Sequence, residues 1–338
     1  MAGALTAAVR AAGAWGFAAA WEARRRCYAA GWLAPDRVPA RVVSIGNLTV
    51  GGTGKTTLVL HLARLALTRG LAAAVACRDY RPGPSGVGDE TMLFRRSLGE
   101  SAVFSGSNKR ELAQAAAGRG FGLVLVDDGF SHWRLERDVD LVILDARDPW
   151  GGGRLFPQGR LREPRRALQR ADVVVISRLG PDEDPAPLLV EAGRYAPAAL
   201  WAAARHRPSG LATLEGTPLS DLTRVRVVSG TGHPAAVAAT AREAGLEVVE
   251  TAAYRDHHWF TAEQARRELT RARASGSTVL ITAKDAMRWP LTERRAEVAV
   301  LEVEWQWVQG GPEVESRVFG PAPAHEGPPS LESPHDAA

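Results

Sequence analysis

Cysteine is scarce in this sequence of 338 residues, in which Cys27 and Cys77 are the two occurrences. Neither stands in a C-x-x-C or other metal-ligand spacing, which argues against a disulfide scaffold and a zinc site. Long apolar runs are also lacking, since no stretch reaches the roughly eighteen residues of a membrane-spanning helix. The segment between Arg10 and Glu22 is mostly alanine and fits a secretory signal poorly. We therefore expect reduced thiols in a reducing compartment.

A strong excess of one charge sign is absent as well. The formal net charge is +4 and the sequence pI is about 9.4. This balance suits a phosphate-bearing partner or an anionic surface, and it does not indicate nucleic acid. No feature indicates an obligate protein partner, and the length favours about two domains.

The first 35 residues have the pattern of an alanine-rich amphipathic helix with aromatic and basic side chains. At about 100° per residue, Phe17, Trp21 and Tyr28 project from one side, with Arg24 close to the same stripe. A helix of this kind can lie in a membrane interface. The alternative is that its aromatic residues dock on the protein core.

The remaining chain alternates short apolar runs with helical patterns, which is typical of βαβ units. Continuous apolar runs of this kind indicate strands buried on both faces of a parallel sheet. A first series occupies residues 42–45, 71–77, 123–126, 141–144 and 173–176, and a second occupies 225–228, 247–249, 278–282 and 298–303. We predict an α/β fold with a doubly wound, mostly parallel sheet of the P-loop NTPase type over residues 36–207. A smaller α/β lobe over 208–309 and a disordered tail over 310–338 complete the prediction.

A glycine-rich segment that follows one predicted strand and opens a helix is the strongest local signal. Its glycines allow backbone N–H groups to curl around phosphates, and the helix N-terminus adds partial positive charge. Lys55 would reach the β- and γ-phosphates, and the Thr56 hydroxyl would bind Mg²⁺. Thr49 stands where the strict G-x-x-x-x-G-K-[ST] pattern has its first glycine. The predicted phosphate-binding residues are Gly51, Gly52, Thr53, Gly54, Lys55, Thr56 and Thr57.

Two acidic pairs accompany this loop. Asp127 and Asp128 end an apolar strand, which is how α/β proteins supply Mg²⁺ ligands at a ligand crevice. Asp89 and Glu90 follow the second strand, where such a pair can act as base and metal ligand or simply begin a helix.

A third segment, Asp256-His257-His258, lies in the second series of strands. An aspartate can orient an imidazole for proton transfer, although His–carboxylate neighbours are also common on protein surfaces.

These motifs, in this order, resemble the lipid A 4'-kinase (tetraacyldisaccharide 4'-kinase) family. The likeness extends over about residues 5–305, and ordinary P-loop ATPases do not carry the whole set. The matching segments are residues 43–56, 88–90, 127–132, 137–138, 145, 151–164, 256–258 and 284–286.

The resemblance implies ATP-dependent phosphorylation of the 4'-hydroxyl of a tetraacylated disaccharide 1-phosphate, the lipid A precursor. It implies that Asp89 is the base that accepts the hydroxyl proton, that His257 supports it, and that Arg162 and Glu163 close the cleft. The implied ligand set for Mg²⁺–ATP is Thr56, Glu90, Asp127 and Asp128. The N-terminal helix would face the cytoplasmic surface of the inner membrane, making the chain peripheral or monotopic.

The sequence departs from the family pattern at several positions near these motifs, which include Thr57 in place of a Pro and Gly151-Gly152-Gly153 in place of Gly-Asn-Gly. Ser131 replaces the usual Gln, Asp79 replaces a Gly, and Ala283 replaces a Glu. The predicted catalytic carboxylates and His257 are retained. We therefore expect a working but divergent member, for which another glycolipid acceptor or a catalytically silent glycolipid-binding paralogue is the alternative.

Two other P-loop classes fit less well. A partitioning-type ATPase has a signature Lys where Val50 stands. A GTPase requires a guanine-binding motif of the Asn/Thr-Lys-x-Asp type, which residues 282–285 imitate only loosely.

Overall fold

A computed structural model describes residues 2–290 and 297–320 of the chain, with side chains from residue 9 onward. Within these ranges, helices and strands alternate as βαβ units require. The helices are α1 (Ala2–Ala29), α2 (Lys55–Thr68), α3 (Asp89–Leu98), α4 (Lys109–Gly118), α5 (Ala186–Gly193), α6 (Pro234–Glu243), α7 (Ala262–Ala274), α8 (Ala283–Ala286) and α9 (Gly311–Phe319). The strands are β1 (Arg41–Asn47), β2 (Ala73–Cys77), β3 (Val103–Ser105), β4 (Leu123–Asp127), β5 (Val139–Asp145), β6 (Val173–Ser177), β7 (Leu200–Thr213), β8 (Arg224–Ser229), β9 (Glu247–Ala253), β10 (Thr278–Thr282) and β11 (Val298–Gln309).

The described strands form one sheet in the order β3-β2-β4-β1-β5-β6-β7-β11-β10-β8-β9. All neighbouring pairs are parallel except β7 and β11, which run antiparallel. The predicted α/β fold with a mostly parallel sheet is therefore confirmed. The predicted domain boundary at residue 208 falls inside β7, so the two predicted lobes share one sheet through the β7–β11 pair.

The core follows from the apolar runs seen in the sequence. The five residues of β2, of β4 and of β6 are all buried, because helices cover both faces of the sheet. On one face, Leu58, Leu62 and Ala66 of α2 pack against β1, β2 and β4. This packing fixes the start of α2, and with it the glycine-rich loop, at the carboxyl end of β1.

The predicted disordered tail is wrong at its beginning, because Gly311–Phe319 form the helix α9. Val314 and Val318 are buried in the same core as α2 and β1. The side chain of Arg41 also donates hydrogen bonds to the carbonyl oxygens of Arg317 and Val318. The rest of the predicted tail, residues 321–338, lies outside the described residues.

The aromatic stripe predicted on α1 faces largely inward. The rings of Trp21 and Tyr28 pack on Trp133 with centroid separations of 6.0 and 5.4 Å, and the Arg24 guanidinium lies over Tyr28 and Trp133. Trp15 is instead exposed, on a different side of the helix, with 78% of its surface accessible. Among the described residues, no helix combines the length and apolarity that crossing a bilayer requires.

Candidate active site

The glycine-rich loop joins β1 to α2, as the sequence predicts. Gly51 and Gly54 adopt left-handed φ values of 114° and 93°. A Cβ atom at Gly54 would also lie only 2.7 Å from Nε2 of His206 on β7, so both conformation and space require glycine there. The loop ends at the N-terminus of α2, an arrangement suited to binding phosphate.

Lys55 lies at the first position of α2 and points back over the loop. Its Nζ lies 3.0 Å from Asn47 Oδ1 and 3.5 Å from Asp128 Oδ1. Arg162 contacts the same two residues, with a bidentate pair of 2.7 Å contacts to Asp128. Burial acts to raise the pKa of Asp128, but Lys55 and Arg162 together hold it well below its ordinary value. Two cations thus converge on the space above the loop, where phosphate oxygens would be bound.

Three of the four predicted metal ligands suit Mg²⁺. Thr56 Oγ1 donates to Glu90 Oε1 at 2.8 Å, and Asp127, which is buried, has an Oδ1 atom with no hydrogen-bond partner. Burial together with nearby Glu90 raises the pKa of Asp127 to about 6. A cation there would satisfy this oxygen and relieve the repulsion between the carboxylates. Asp128, the fourth predicted ligand, is instead engaged by Lys55 and Arg162.

No three Asp, Glu, His or Cys side chains form a complete metal cage in the described part of the chain. This is the ordinary situation for Mg²⁺, which is held by one or two protein groups together with phosphates and water.

Asp89 and His257 come together from the two predicted lobes. Asp89 begins α3 and is 1% exposed, and His257 follows β9 with a left-handed φ of 60°. His257 Nδ1 lies 3.0 Å from Asp89 Oδ2 and 3.2 Å from Oδ1. Its Nε2 atom is 3.9 Å from Asp256 Oδ2, beyond hydrogen-bond distance. A non-glycine residue in this conformation is uncommon, and such residues cluster at functional sites.

Two further cations from the second half of the sheet reach the same acidic pair. Lys284 Nζ lies 2.6 Å from Glu90 Oε1, and Arg288 Nε lies 3.3 Å from Asp89 Oδ2. Against the effect of burial, Lys284 lowers the pKa of Glu90 to about 2. Burial acts to raise the pKa of Asp89, but His257 and Arg288 lower it below its ordinary value. Both carboxyl groups are therefore held ionised by side chains from the other half of the sheet.

Residues 282–285, which loosely resemble a guanine-binding motif, have a structural role. Asp285 is fully buried and accepts hydrogen bonds from the Gly230 N–H at 3.0 Å and from Arg288 at 2.7 Å. With Lys284 bound to Glu90, neither charged residue of the motif is available to bind a nucleobase. This arrangement argues against the GTPase interpretation.

A segment before α3 closes over the Asp89–His257 pair. Tyr80 packs edge-on against His257, with ring centroids 5.2 Å apart. Asp79, one of the departures from the family pattern, accepts a hydrogen bond from the Gly88 N–H at 3.0 Å. This contact ties the segment to the residue that immediately precedes Asp89.

The phosphate loop, both acidic pairs and His257 line one cavity of about 1570 Å³. Gly51, Gly52, Thr53, Gly54, Lys55, Thr56, Thr57 and Arg162 are among its lining residues. The volume exceeds that of a typical small-ligand pocket, so the cavity has room for a nucleotide and part of a second substrate.

Glu163 is the predicted site residue that lies elsewhere. It is 2% exposed and accepts hydrogen bonds from Trp21 Nε1 at 2.8 Å and Ser131 Oγ at 2.6 Å, with Arg170 at 2.8 Å. It therefore anchors α1 to the sheet rather than closing the cleft. Ser131, another departure from the family pattern, contributes to this anchor.

Two cavity residues were missed by the sequence reasoning. Arg288 stands four residues after Lys284, so the two side chains project from the same side of a helical turn. This spacing could have identified Arg288 from the sequence. Lys109 is 2% exposed, and its Nζ has no hydrogen-bond partner. Nothing in the sequence around Lys109 distinguishes it from a solvated lysine at a helix start.

The parallel sheet, the glycine-rich loop and the cavity above it place the chain in the class of P-loop phosphate-binding enzymes. A family model described as "Tetraacyldisaccharide-1-P 4'-kinase" matches residues 8–318, and the chain belongs to that family.

Two curated relatives agree with this membership, and one solved structure shares the fold. The chain is 34% identical to a tetraacyldisaccharide 4'-kinase of Anaeromyxobacter sp. (strain Fw109-5), covering 87% of this chain and 86% of that protein. It is 37% identical to the enzyme of the same name from Anaeromyxobacter dehalogenans (strain 2CP-C), covering 80% and 78%. An LpxK structure from Aquifex aeolicus, described as in complex with ATP, aligns with a TM-score of 0.68 at 22% identity, covering 90% of this chain and 96% of that one. This last likeness shows the shared fold.

Proposed function

We propose that the chain transfers the γ-phosphoryl group of ATP to the 4'-hydroxyl of a tetraacyldisaccharide 1-phosphate, a step of lipid A biosynthesis. Its family membership supports the reaction and the acceptor. The observation that carries the proposal is that Lys55 and the Asp89–His257 pair open on the same cavity. A kinase must hold the donor phosphate and activate a hydroxyl at one place, and these residues supply both functions.

The donor half of the reaction belongs to the first half of the sheet. Lys55 and the backbone of the loop bind the β- and γ-phosphates, and Arg162 offers a second cation to the transferring group. Thr56, Glu90 and Asp127 would hold Mg²⁺, which neutralises charge that develops on the phosphate oxygens. Asp128 positions Lys55 and Arg162, because it contacts both.

The acceptor half depends on His257, and here the contacts favour a different base from the one implied by the resemblance. Both oxygens of Asp89 are engaged: Oδ1 accepts from the Glu90 N–H at 2.9 Å, and Oδ2 faces His257 and Arg288. If His257 donates its Nδ1–H to Asp89, its Nε2 carries the free lone pair. We therefore assign the role of proton acceptor to His257 Nε2, while Asp89 orients the ring and stabilises the imidazolium that forms.

The membrane-facing surface is proposed to include the exposed side of α1 and the turn that follows the helix. Trp15 on α1 and Trp32 in the turn after it are 78% and 81% exposed, and Phe156 is 51% exposed. Gly13 of α1 packs against Pro157, which brings Phe156 next to the helix. Apolar rings beside arginines are typical of a surface that lies in a lipid interface, and an acylated substrate would be met there. This surface would place the enzyme on the cytoplasmic face of the inner membrane.

The test is transfer of labelled γ-phosphate from ATP to tetraacyldisaccharide 1-phosphate in mixed micelles. Wild type should label the lipid, GTP should not replace ATP, and Lys55→Ala should reduce labelling by at least about 10²-fold because a phosphate ligand is lost. Absence of labelled lipid, in folded protein that binds ATP, would point to another glycolipid acceptor or a silent paralogue.

A further inference from the structure

Lys109 occupies an unfavourable position for a positive charge that has no ligand. It is the first residue of α4, where the helix dipole is positive and favours anions. Its side chain is buried at 2% exposure, and its Nζ makes no hydrogen bond. Burial lowers the pKa of Lys109, against the effect of the nearby Asp127 and Asp128 carboxylates. An ammonium that is desolvated without a partner destabilises the folded protein.

The surroundings of Lys109 indicate which kind of group would bind its ammonium. The side chain lines the cavity that also holds Lys55, Glu90 and Asp127. No ion pair within 4.0 Å joins Lys109 to a carboxylate in the described residues, although Asp127 Oδ1 is also without a hydrogen-bond partner. If Asp127 binds Mg²⁺, that cation shares one cavity with the Lys55 and Lys109 side chains. The groups that fill such a space in a phosphoryl-transfer site are phosphate oxygens.

We propose that Lys109 is a phosphate-binding residue whose ammonium donates to a phosphate oxygen of a bound substrate. This proposal rests on the proposed function. The proximity of Asp127, Asp128 and Lys55 favours the γ-phosphate of the nucleotide as the source of that oxygen. The phosphate of the acceptor is the second source with the same chemistry, and the experiment distinguishes them.

The test compares Lys109→Met, which removes the charge at nearly constant length, with Lys109→Arg, which keeps it. Arg110→Met is the matched control, because Arg110 is the next residue of α4 and forms a surface pair with Asp36 at 2.9 Å. The measurements are the Kd of Mg²⁺–ATP and of Mg²⁺–ADP by calorimetric titration, the steady-state constants for both substrates, and the Tm of the ligand-free protein.

If the γ-phosphate is bound, Lys109→Met weakens ATP binding by at least about tenfold and ADP binding much less, since a charge-assisted hydrogen bond is lost. If the acceptor phosphate is bound, both nucleotide constants stay constant and the acceptor KM rises by a similar factor. In both cases kcat/KM of Lys109→Met falls, and the Tm of its ligand-free form does not fall. Lys109→Arg and Arg110→Met remain near wild type in all of these constants.

Two results would overturn the proposal: unchanged binding and kinetic constants in Lys109→Met, or a Tm lowered by several degrees without a change in either. The second result would make Lys109 a structural counter-charge for Asp127 and Asp128. Failure of wild type to label the lipid would contradict the proposed function alone, because the comparison of ATP with ADP still tests Lys109.

Discussion

At the scale of single residues, the contact between Asp89 and His257 determines how the acceptor hydroxyl is activated. Asn at position 89 can donate to His257 Nδ1 and would leave the proton on Nε2, the atom that must accept one. We expect Asp89→Asn to lower kcat by about 10²–10⁴-fold while the Kd of ATP stays within about twofold. Asp256→Asn is the matched control, because Asp256 does not contact Nδ1. Full turnover by Asp89→Asn would exclude the proposed pair.

Arg288 also contacts the carboxylate of Asp89. Its guanidinium also binds Asp285 and the Gly230 carbonyl oxygen at 3.0 Å, all within a buried region. Arg288→Met leaves the Asp285 charge buried and unpaired, so we expect the free energy of unfolding to fall by about 3–5 kcal/mol in urea titrations. Arg288→Lys should recover part of this loss, yet show a lower kcat than wild type at unchanged ATP KM. An unaltered stability in Arg288→Met would show that the buried pair is not formed.

His206, below the phosphate loop, gives a pH dependence with a defined sign. Burial lowers its pKa from 6.5 to about 3. The unfolded chain therefore binds a proton below pH 6.5 that the folded protein does not, and stability is lost as the pH falls. Relative to His206→Phe, wild type should lose about 2 kcal/mol of unfolding free energy between pH 7 and pH 5. A difference that is constant over this range would contradict the assigned pKa direction.

Some site residues could be predicted from the sequence and others could not. Lys55, Thr56, Asp127 and the Asp89–His257 pair stand in local motifs, and the structure places all of them on one cavity. Glu163 follows Arg162 directly, yet its side chain turns to Trp21. The partners of a buried residue come from distant elements, so a motif could not reveal this.

At the scale of elements, α1 presents two different surfaces. Trp21 holds the helix to the body through Glu163, whereas Trp15 on the helix and Trp32 in the turn after it are exposed. We expect Trp15→Ser with Trp32→Ser to weaken association with anionic lipid vesicles by at least about tenfold, since two apolar rings are lost. The Tm should remain within about two degrees of wild type. Trp21→Ala is the contrasting control and should lower the Tm by several degrees. Unchanged partitioning of the double variant would place the lipid-contacting surface elsewhere.

Several elements were not apparent from the sequence for physical reasons. The apolar run of β7, residues 200–204, is mostly alanine, which is depleted in strands, and the polar residues Arg205, His206 and Arg207 follow it. β7 forms because β11 pairs with it along ten residues, a non-local interaction. α9 is a short helix between glycines, and the burial of Val314 and Val318 against a distant core stabilises it. Local pattern identifies strands buried on both faces, and it identifies poorly the elements that depend on distant partners.

At the scale of the whole molecule, the two halves of the sheet meet at the cavity through side chains as well as through β7 and β11. The segment before α3 crosses between them, with Arg81 donating to the Asp256 carbonyl oxygen at 2.9 Å and Trp259 Nε1 donating to the Arg81 carbonyl oxygen at 3.2 Å. A cavity assembled from both halves excludes water most fully when both substrates are present.

Gly83 tests this arrangement. A Cβ atom there would lie 2.3 Å from the ring of Trp259, so a larger residue must displace the crossing segment. We expect Gly83→Val to lower kcat/KM for the acceptor by about tenfold and to raise ATP hydrolysis without acceptor relative to transfer. Gly118→Val is the control, since nothing lies within 4 Å of a Cβ atom at that position. An unchanged ratio of hydrolysis to transfer would mean that this segment does not shield the site.

The central claim is that one cavity binds ATP through the loop and activates a sugar hydroxyl through the second half of the sheet. The most direct measurement is the ³¹P NMR spectrum of the lipid formed by wild type, Lys55→Ala and His257→Ala with ATP and tetraacyldisaccharide 1-phosphate. We predict a new phosphomonoester at the 4'-oxygen with wild type, and almost none with either variant, while His257→Ala still binds ATP. A product phosphorylated elsewhere, or full formation of the 4'-phosphate by His257→Ala, would contradict the account.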